Sequence, residues 1–188
     1  MIVESKKIKY PLGAVTSIEA VTFGEPGHRT FRLDVHSGPA YCSVWMEKEQ
    51  LFQLAVHLRD SVSRLSQEER HRESNLKEES WSGGELTVDF KAGQMMLSYD
   101  QDSNAFYIQA YERETEEPAD GEGRPDEEPG DAESVGFWIT TVQASDLGEE
   151  ALKICAAGRP TCFLCGQPIN PEGHACPRAN GHTILEAG

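Results

Sequence analysis

Thr30-Phe31-Arg32-Leu33-Asp34-Val35-His36 alternates apolar and polar side chains without a break. In an extended chain successive side chains point to opposite faces, so Phe31, Leu33 and Val35 share one face and Arg32, Asp34 and His36 the other. The pattern predicts a half-buried antiparallel strand. Downstream, Ser37-Gly38-Pro39 turns the chain, and Tyr41 to Met46 alternates again with Cys42, Val44 and Met46 on one side. The period then changes. Leu51, Leu54, Ala55, Leu58, Val62 and Leu65 recur at helical spacing, which predicts an amphipathic helix from near Glu47 to Leu65. Glu47 and Glu49 suit its positive end, and His57, flanked by polar positions, reads as a solvated residue. Upstream, residues 14–23 form a less regular strand candidate that ends where Gly24, Pro26 and Gly27 force a turn.

The second half repeats this order. Leu86 to Phe90 alternates, Gln94 to Tyr99 follows a bend at Gly93, Phe106 to Tyr111 follows a turn at Asp102-Ser103-Asn104, and Val135 to Ile139 is the last strand. Thr141 or Ser145 caps a closing helix through Ala144, Leu147, Ala151 and Ile154, which Gly158 and Pro160 end and Gly148 weakens. Strand, strand, strand, helix therefore occurs at 14–65 and again at 94–157, with a short strand at 86–90 between. The expected fold is α+β: two βββα-like halves forming an antiparallel sheet with two covering helices over residues 1–157, and a small zinc knuckle over 158–188. Between the halves, 66–84 is polar, with Leu76 and Trp81 its only large apolar residues, and reads as a mobile connection. Within the second half, Glu112 to Glu133 holds eleven acidic residues and two arginines. With so little apolar surface to offset the entropy of ordering, 112–134 reads as a disordered loop.

Seventeen Lys plus Arg face 32 Asp plus Glu, a net charge of −15. A phosphate backbone would be repelled by most of such a surface, which argues against nucleic acid as a partner. Nothing resembles a signal peptide, and no apolar run reaches the roughly 18 residues of a membrane span, so a cytoplasmic location without a membrane partner is expected.

Five cysteines are present. Cys42 and Cys155 lie among apolar residues and read as buried, inert thiols. The other three fall in Cys162-Phe163-Leu164-Cys165 and Gly173-His174-Ala175-Cys176, the pattern C-x2-C-x8-H-x-C, with turn residues in the gap. A C-x2-C turn brings two thiolates to one ion while the chain loops back with a second pair. Cys162, Cys165 and Cys176 are expected ligands. The fourth is His174, or His182 if 177–181 folds back. Four protein ligands leave no open coordination position, so the ion, zinc by its donor set and with iron the alternative, would be structural.

The run from Ala156 through Thr161-Cys162-Phe163-Leu164-Cys165-Gly166 to Glu172-Gly173-His174-Ala175-Cys176-Pro177 resembles the C-terminus of an uncharacterised actinobacterial family of unknown function. Three other stretches are similar to that family: Glu25 to Phe31, Glu47-Lys48-Glu49-Gln50, and Phe90 to Met95. Its members usually carry Tyr at the position of His182, which implies His174 as the ligand. The chain departs from the family at His28, where Gln is usual, and in its acidic loop. The family's gene context implies a protein partner that is kinase-like or phosphatase-like.

No phosphate-binding glycine loop, nucleophile elbow or H-E-x-x-H helix is present. The expected function is therefore a non-enzymatic protein-interaction or adaptor module with a structural metal. The alternative is an enzyme or a sensor of phosphorylated metabolites, using a polar cleft of His28 and Arg29 with Glu47 and Lys48 should the sheet bring those junctions together.

Overall fold

The computed structural model describes residues 7–25, 27–114, 132–157, 162–165, 169 and 176. Its strands are β1 (Tyr10–Ala14), β2 (Ser17–Phe23), β3 (Thr30–Ser37), β4 (Ala40–Met46), β5 (Leu86–Asp100), β6 (Ala105–Glu112) and β7 (Ser134–Thr140). Its helices are α1 (Lys48–Arg64), α2 (Gln67–His71) and α3 (Thr141–Ala156). The fold is α+β, with one seven-stranded sheet in the order β1-β7-β6-β5-β4-β3-β2.

The sheet is mostly antiparallel, but β1 runs parallel to β7 and β4 parallel to β5. The expected antiparallel α+β sheet is thus present, and its two parallel pairings arise from two bent strands. The stretches at 86–90 and 94–99 are one strand, β5. Its first half pairs with β4, a bulge between Ala92 and Gln94 re-aims it, and its second half pairs with β6. Residues 10–23 behave the same way. β1 pairs with β7, the Val15 amide still donates to the Trp138 carbonyl (3.1 Å), and the Thr16 amide already donates to the His36 carbonyl (2.7 Å) as β2 joins β3. The two edges of the sheet are thus consecutive in the chain. The single sheet changes partners at two bent strands, a known way of turning a corner.

Each half consists of a bent strand, two further strands and a helix. The first half of each bent strand pairs with the last strand of the other half. At each strand-to-helix junction a glutamine fastens this exchange. The Gln50 side chain accepts from the Glu47 amide (2.9 Å) and donates to the Ala92 and Gly93 carbonyls at the β5 bend (3.2 and 3.0 Å). Gln143 accepts from the Thr140 amide (2.9 Å) and donates to the Val15 carbonyl at the other bend (3.4 Å). Both glutamines complete capping boxes at the third helical position, satisfying amides that the helix itself leaves open. The residues concerned read Trp-Met-x3-Gln-x3-Leu at 45–54 and Trp-Ile-x3-Gln-x3-Leu at 138–147.

The apolar face predicted for β3 is buried, with Phe31, Leu33 and Val35 at most 4% exposed. They join Cys42, Val44 and Met46 of β4, Phe106 and Ile108 of β6, and Val135, Phe137 and Ile139 of β7 in one core, which the inner faces of α1 and α3 complete. Burying each large side chain contributes about 1.5–3 kcal/mol. The opposite face of β3 is polar: Arg32 lies between the rings of Phe23 and Trp45 (4.8 and 4.9 Å to the centroids) and donates to Asp34 (2.7 Å).

Gly148 lies where α3 packs against α1. A Cβ built on it would lie 3.4 Å from the Ala55 carbonyl oxygen, an ordinary contact. Gly148→Ala is therefore expected to fit and to stabilise the fold by about 0.5–1 kcal/mol through higher helix propensity. A drop in the urea midpoint would show that the helices are closer than this. Gly13, at φ +64°, is the opposite case, since its Cβ would lie 1.9 Å from the Glu79 carbonyl oxygen.

The stretch expected as a mobile connection, 66–84, contains α2 and is fastened to the sheet. Buried Asn104, at φ 50°, donates from Nδ2 to the carbonyls of Glu69 (2.9 Å) and Arg72 (2.7 Å), while its Oδ1 accepts from the Tyr99 hydroxyl (2.7 Å). Ser74 Oγ donates to the Asn104 carbonyl (2.6 Å). Further on, the Trp81 amide donates to Ser37 Oγ (2.9 Å), which itself donates to the Leu12 carbonyl (2.6 Å). Of the acidic stretch expected as a disordered loop over 112–134, residues 115–131 lie outside the described residues. Its flanks meet where the Glu112 amide donates to the Glu133 carbonyl (2.8 Å).

Candidate metal centre

The end of α3 at Ala156 leaves five residues before Cys162, so the two are at most roughly 20 Å apart. Residues 163–165 form a turn, which brings the second thiol of the C-x2-C pair back beside the first. The sulfur atoms of Cys162, Cys165 and Cys176 all lie within 4.8 Å of one another, with Cys162 and Cys176 buried and Cys165 half-buried. Cys162 Sγ and Cys176 Sγ are 3.8 Å apart. Four sulfurs at about 2.3 Å from a tetrahedral ion stand about 3.8 Å from each other, so this pair already has the spacing of a tetrahedral edge.

The turn also prepares the first thiol for its charge. Hydrogen bonding from the backbone of Cys165, with a smaller contribution from Leu164, lowers the Cys162 pKa against the opposing effect of desolvation. A thiolate is the form that binds a metal. The donor set of soft sulfurs fits zinc or iron better than magnesium or calcium. His174 and His182, the two candidates for the fourth ligand, lie outside the described residues. Between the thiols, Phe163 is 92% exposed and Leu164 40% exposed, so the tip of the turn presents apolar surface to solvent.

Cys42 and Cys155 are buried, as expected. Burial, reinforced by nearby Asp89, pushes the Cys42 thiol up to about 12, and burial also raises Cys155. At pH 8 both stay protonated. Iodoacetamide is expected to leave Cys42 unmodified in the folded protein, as read by peptide mass spectrometry. Rapid native labelling of Cys42 would contradict the burial assigned to it.

The other four expected site residues are placed as follows. Pairing of Phe31 with Met46 brings the turn holding His28 and Arg29 towards the junction holding Glu47 and Lys48. Two of the four side chains, those of Arg29 and Glu47, also contact other partners, while Arg29 Nε is buried without one among the described residues. Arg29 Nη1 donates to the Ala157 carbonyl at the end of α3 (2.8 Å), and the His28 amide donates to the Glu25 carbonyl (2.9 Å). Glu47 pairs with Lys91 (2.6 Å), whose hydrogen bond holds the Glu47 carboxyl below its ordinary pKa. The Lys48 carbonyl faces Cys155 Sγ at 4.0 Å. Reasoning from the sequence missed Gln50 and Gln143, which carry the exchange between halves. The repeated Trp-x4-Gln spacing was the signal that could have found them.

Fold and thiol cluster together define an α+β protein with a possible metal-binding cysteine triad at its C-terminal end. The chain belongs to the family DUF3090, a protein of unknown function, which it matches over residues 10–176 and hence through Cys176. No curated protein matches the chain, and no solved structure does. Among the described residues no helix is long and apolar enough to cross a membrane.

Proposed function

We propose that the chain is a non-enzymatic adaptor whose C-terminal segment is folded around one structural zinc ion held by Cys162, Cys165, His174 and Cys176. The observation that carries this reading is the convergence of three sulfurs from two separate stretches to within 4.8 Å. Three thiolates and an imidazole fill a tetrahedral shell and leave no position for substrate or water, so the ion serves as a scaffold. What the scaffold presents is the exposed pair Phe163 and Leu164. Large apolar side chains at a rigid tip are the kind of anchor that interfaces use. The partner in this reading is a cytoplasmic protein, kinase-like or phosphatase-like. The alternative, an anion sensor at His28, Arg29, Glu47 and Lys48, is the weaker reading because Glu47 adds a carboxylate to that group, and it pairs with Lys91 outside it.

Two measurements test the proposal. Elemental analysis of protein purified without added metal should return one zinc per chain, and iron or no metal would defeat the metal assignment. Co-purification from native cells should return one protein at equal stoichiometry that is lost from Phe163→Ser with its zinc retained. A protein recovered alone under several conditions, or equally well by Phe163→Ser, would defeat the adaptor reading.

A further inference from the structure

A depression of about 330 Å³ is lined by Arg70, His71, Arg72 and Ser74 together with Thr141 and Val142 of α3. It shares no residue with the thiol cluster or the His28–Lys48 group. In a chain of net charge −15, three basic side chains here succeed one another against a single carboxylate on the same wall, Glu73.

Both guanidinium groups are positioned by neutral oxygens. Arg70 donates through Nε to the Leu65 carbonyl (2.9 Å) and through Nη2 to the Ser63 carbonyl (2.6 Å), and Arg72 Nη2 donates to the Gln101 carbonyl (2.6 Å). A carbonyl fixes a guanidinium without cancelling its charge, and each guanidinium has five N–H donors, so donors remain, though Arg72 also lies within electrostatic reach of the Glu69 carboxylate. The backbone beneath is fixed as well, since the Arg72 carbonyl accepts from Asn104 and Ser74 Oγ bridges the Asn104 carbonyl and the Thr141 amide (3.3 Å). At the start of α3 the amides of Thr141 and Gln143 are already occupied by Ser74 and Thr140, so the attraction for an anion comes from the side chains. Fixed arginines in a pocket of this size match the planar, multidentate recognition of phosphate oxygens.

We propose that this depression binds a small phosphate dianion, free or as the monoester of a small metabolite, held by Arg70 and Arg72. The test is calorimetric titration of the full chain with inorganic phosphate and with glycerol 3-phosphate. Binding of either supports the proposal, and which of them binds identifies the source of the phosphate. The deciding variant is Val142→Glu. Val142 is 62% exposed at the rim, and a carboxylate in the first helical turn is favourable, so the unliganded melting temperature should hold or rise. Binding should fall at least about tenfold, because the lining that holds the arginines then carries an added negative charge. Arg72→Gln should weaken binding similarly, but it also loses the Gln101 contact, so Val142→Glu decides. No binding of either compound at millimolar concentration, or unchanged binding by Val142→Glu, overturns the proposal.

Discussion

Cys162→Ser is expected to abolish stoichiometric zinc while leaving the α+β body folded. Structural zinc sites of this ligand class contribute about 10–16 kcal/mol of apparent binding free energy at neutral pH, and folding of the ligand segment depends on it. Cys162 is the thiol whose charge the turn favours, and its sulfur stands 3.8 Å from that of Cys176. A serine hydroxyl at that place remains protonated and cannot replace a thiolate. The body is a separate matter, because its core runs from Leu12 to Cys155 and includes none of the three clustered thiols. The metal-free variant should therefore unfold in one cooperative transition at the wild-type temperature, and a chelator should reproduce that behaviour in the wild type. Metal content by mass spectrometry alongside a calorimetric scan reads both halves of the expectation. Full metal content in the variant would remove Cys162 from the ligand set, and a broadened transition at lower temperature would show that the ion supports the body as well.

Asn104→Ala has the second largest expected effect, a loss of about 3–5 kcal/mol. The Asn104 side chain makes three hydrogen bonds, to Glu69, Arg72 and Tyr99, each contributing about 1 kcal/mol, and its loss leaves buried partners unsatisfied. Alanine must also adopt φ near 50°, which costs about 1 kcal/mol more than for Asn or Gly. Asn104→Gly removes the same hydrogen bonds without that strain, so it should lose about 1 kcal/mol less than Asn104→Ala. Urea unfolding of the two variants separates the contributions. Equal losses would refute backbone strain at this position, and a loss below about 1 kcal/mol in both would refute the role of Asn104 in fastening the 66–84 segment.

Most of the elements were legible because burial imposes a period. Phe31, Leu33 and Val35 at period two and Leu51, Leu54, Ala55 and Leu58 at helical spacing declare the face each element buries, and those faces meet in the core. Strand direction and partner choice were not legible in this way, because parallel and antiparallel strands share the same alternation. The join of 86–90 to 94–99 was hidden by Gly93, which reads as a turn but here lies within a bulged strand. In 66–84 the anchors are Asn104, Ser37 and Ser74, polar residues whose spacing to their partners follows no period. The cluster of three thiols was legible for a different reason. A C-x2-C turn is a local device, and its third thiol follows within a short span, so sequence distance approximates distance in space. The pocket at Arg70, His71 and Arg72 brings together two elements nearly seventy positions apart, and only the fold reveals it.

The exchange fastened by Gln50 and Gln143 constrains how the chain is made. Tyr10 finds its partner only when Val135 has been synthesised, so the nascent N-terminal segment leaves the ribosome with an open edge and keeps it through most of translation. A fragment ending before β5 would present bare backbone on both sides, at β1 and at β4, and would be prone to self-association. For this chain, neither half is a unit that can be expressed, shuffled or inherited alone.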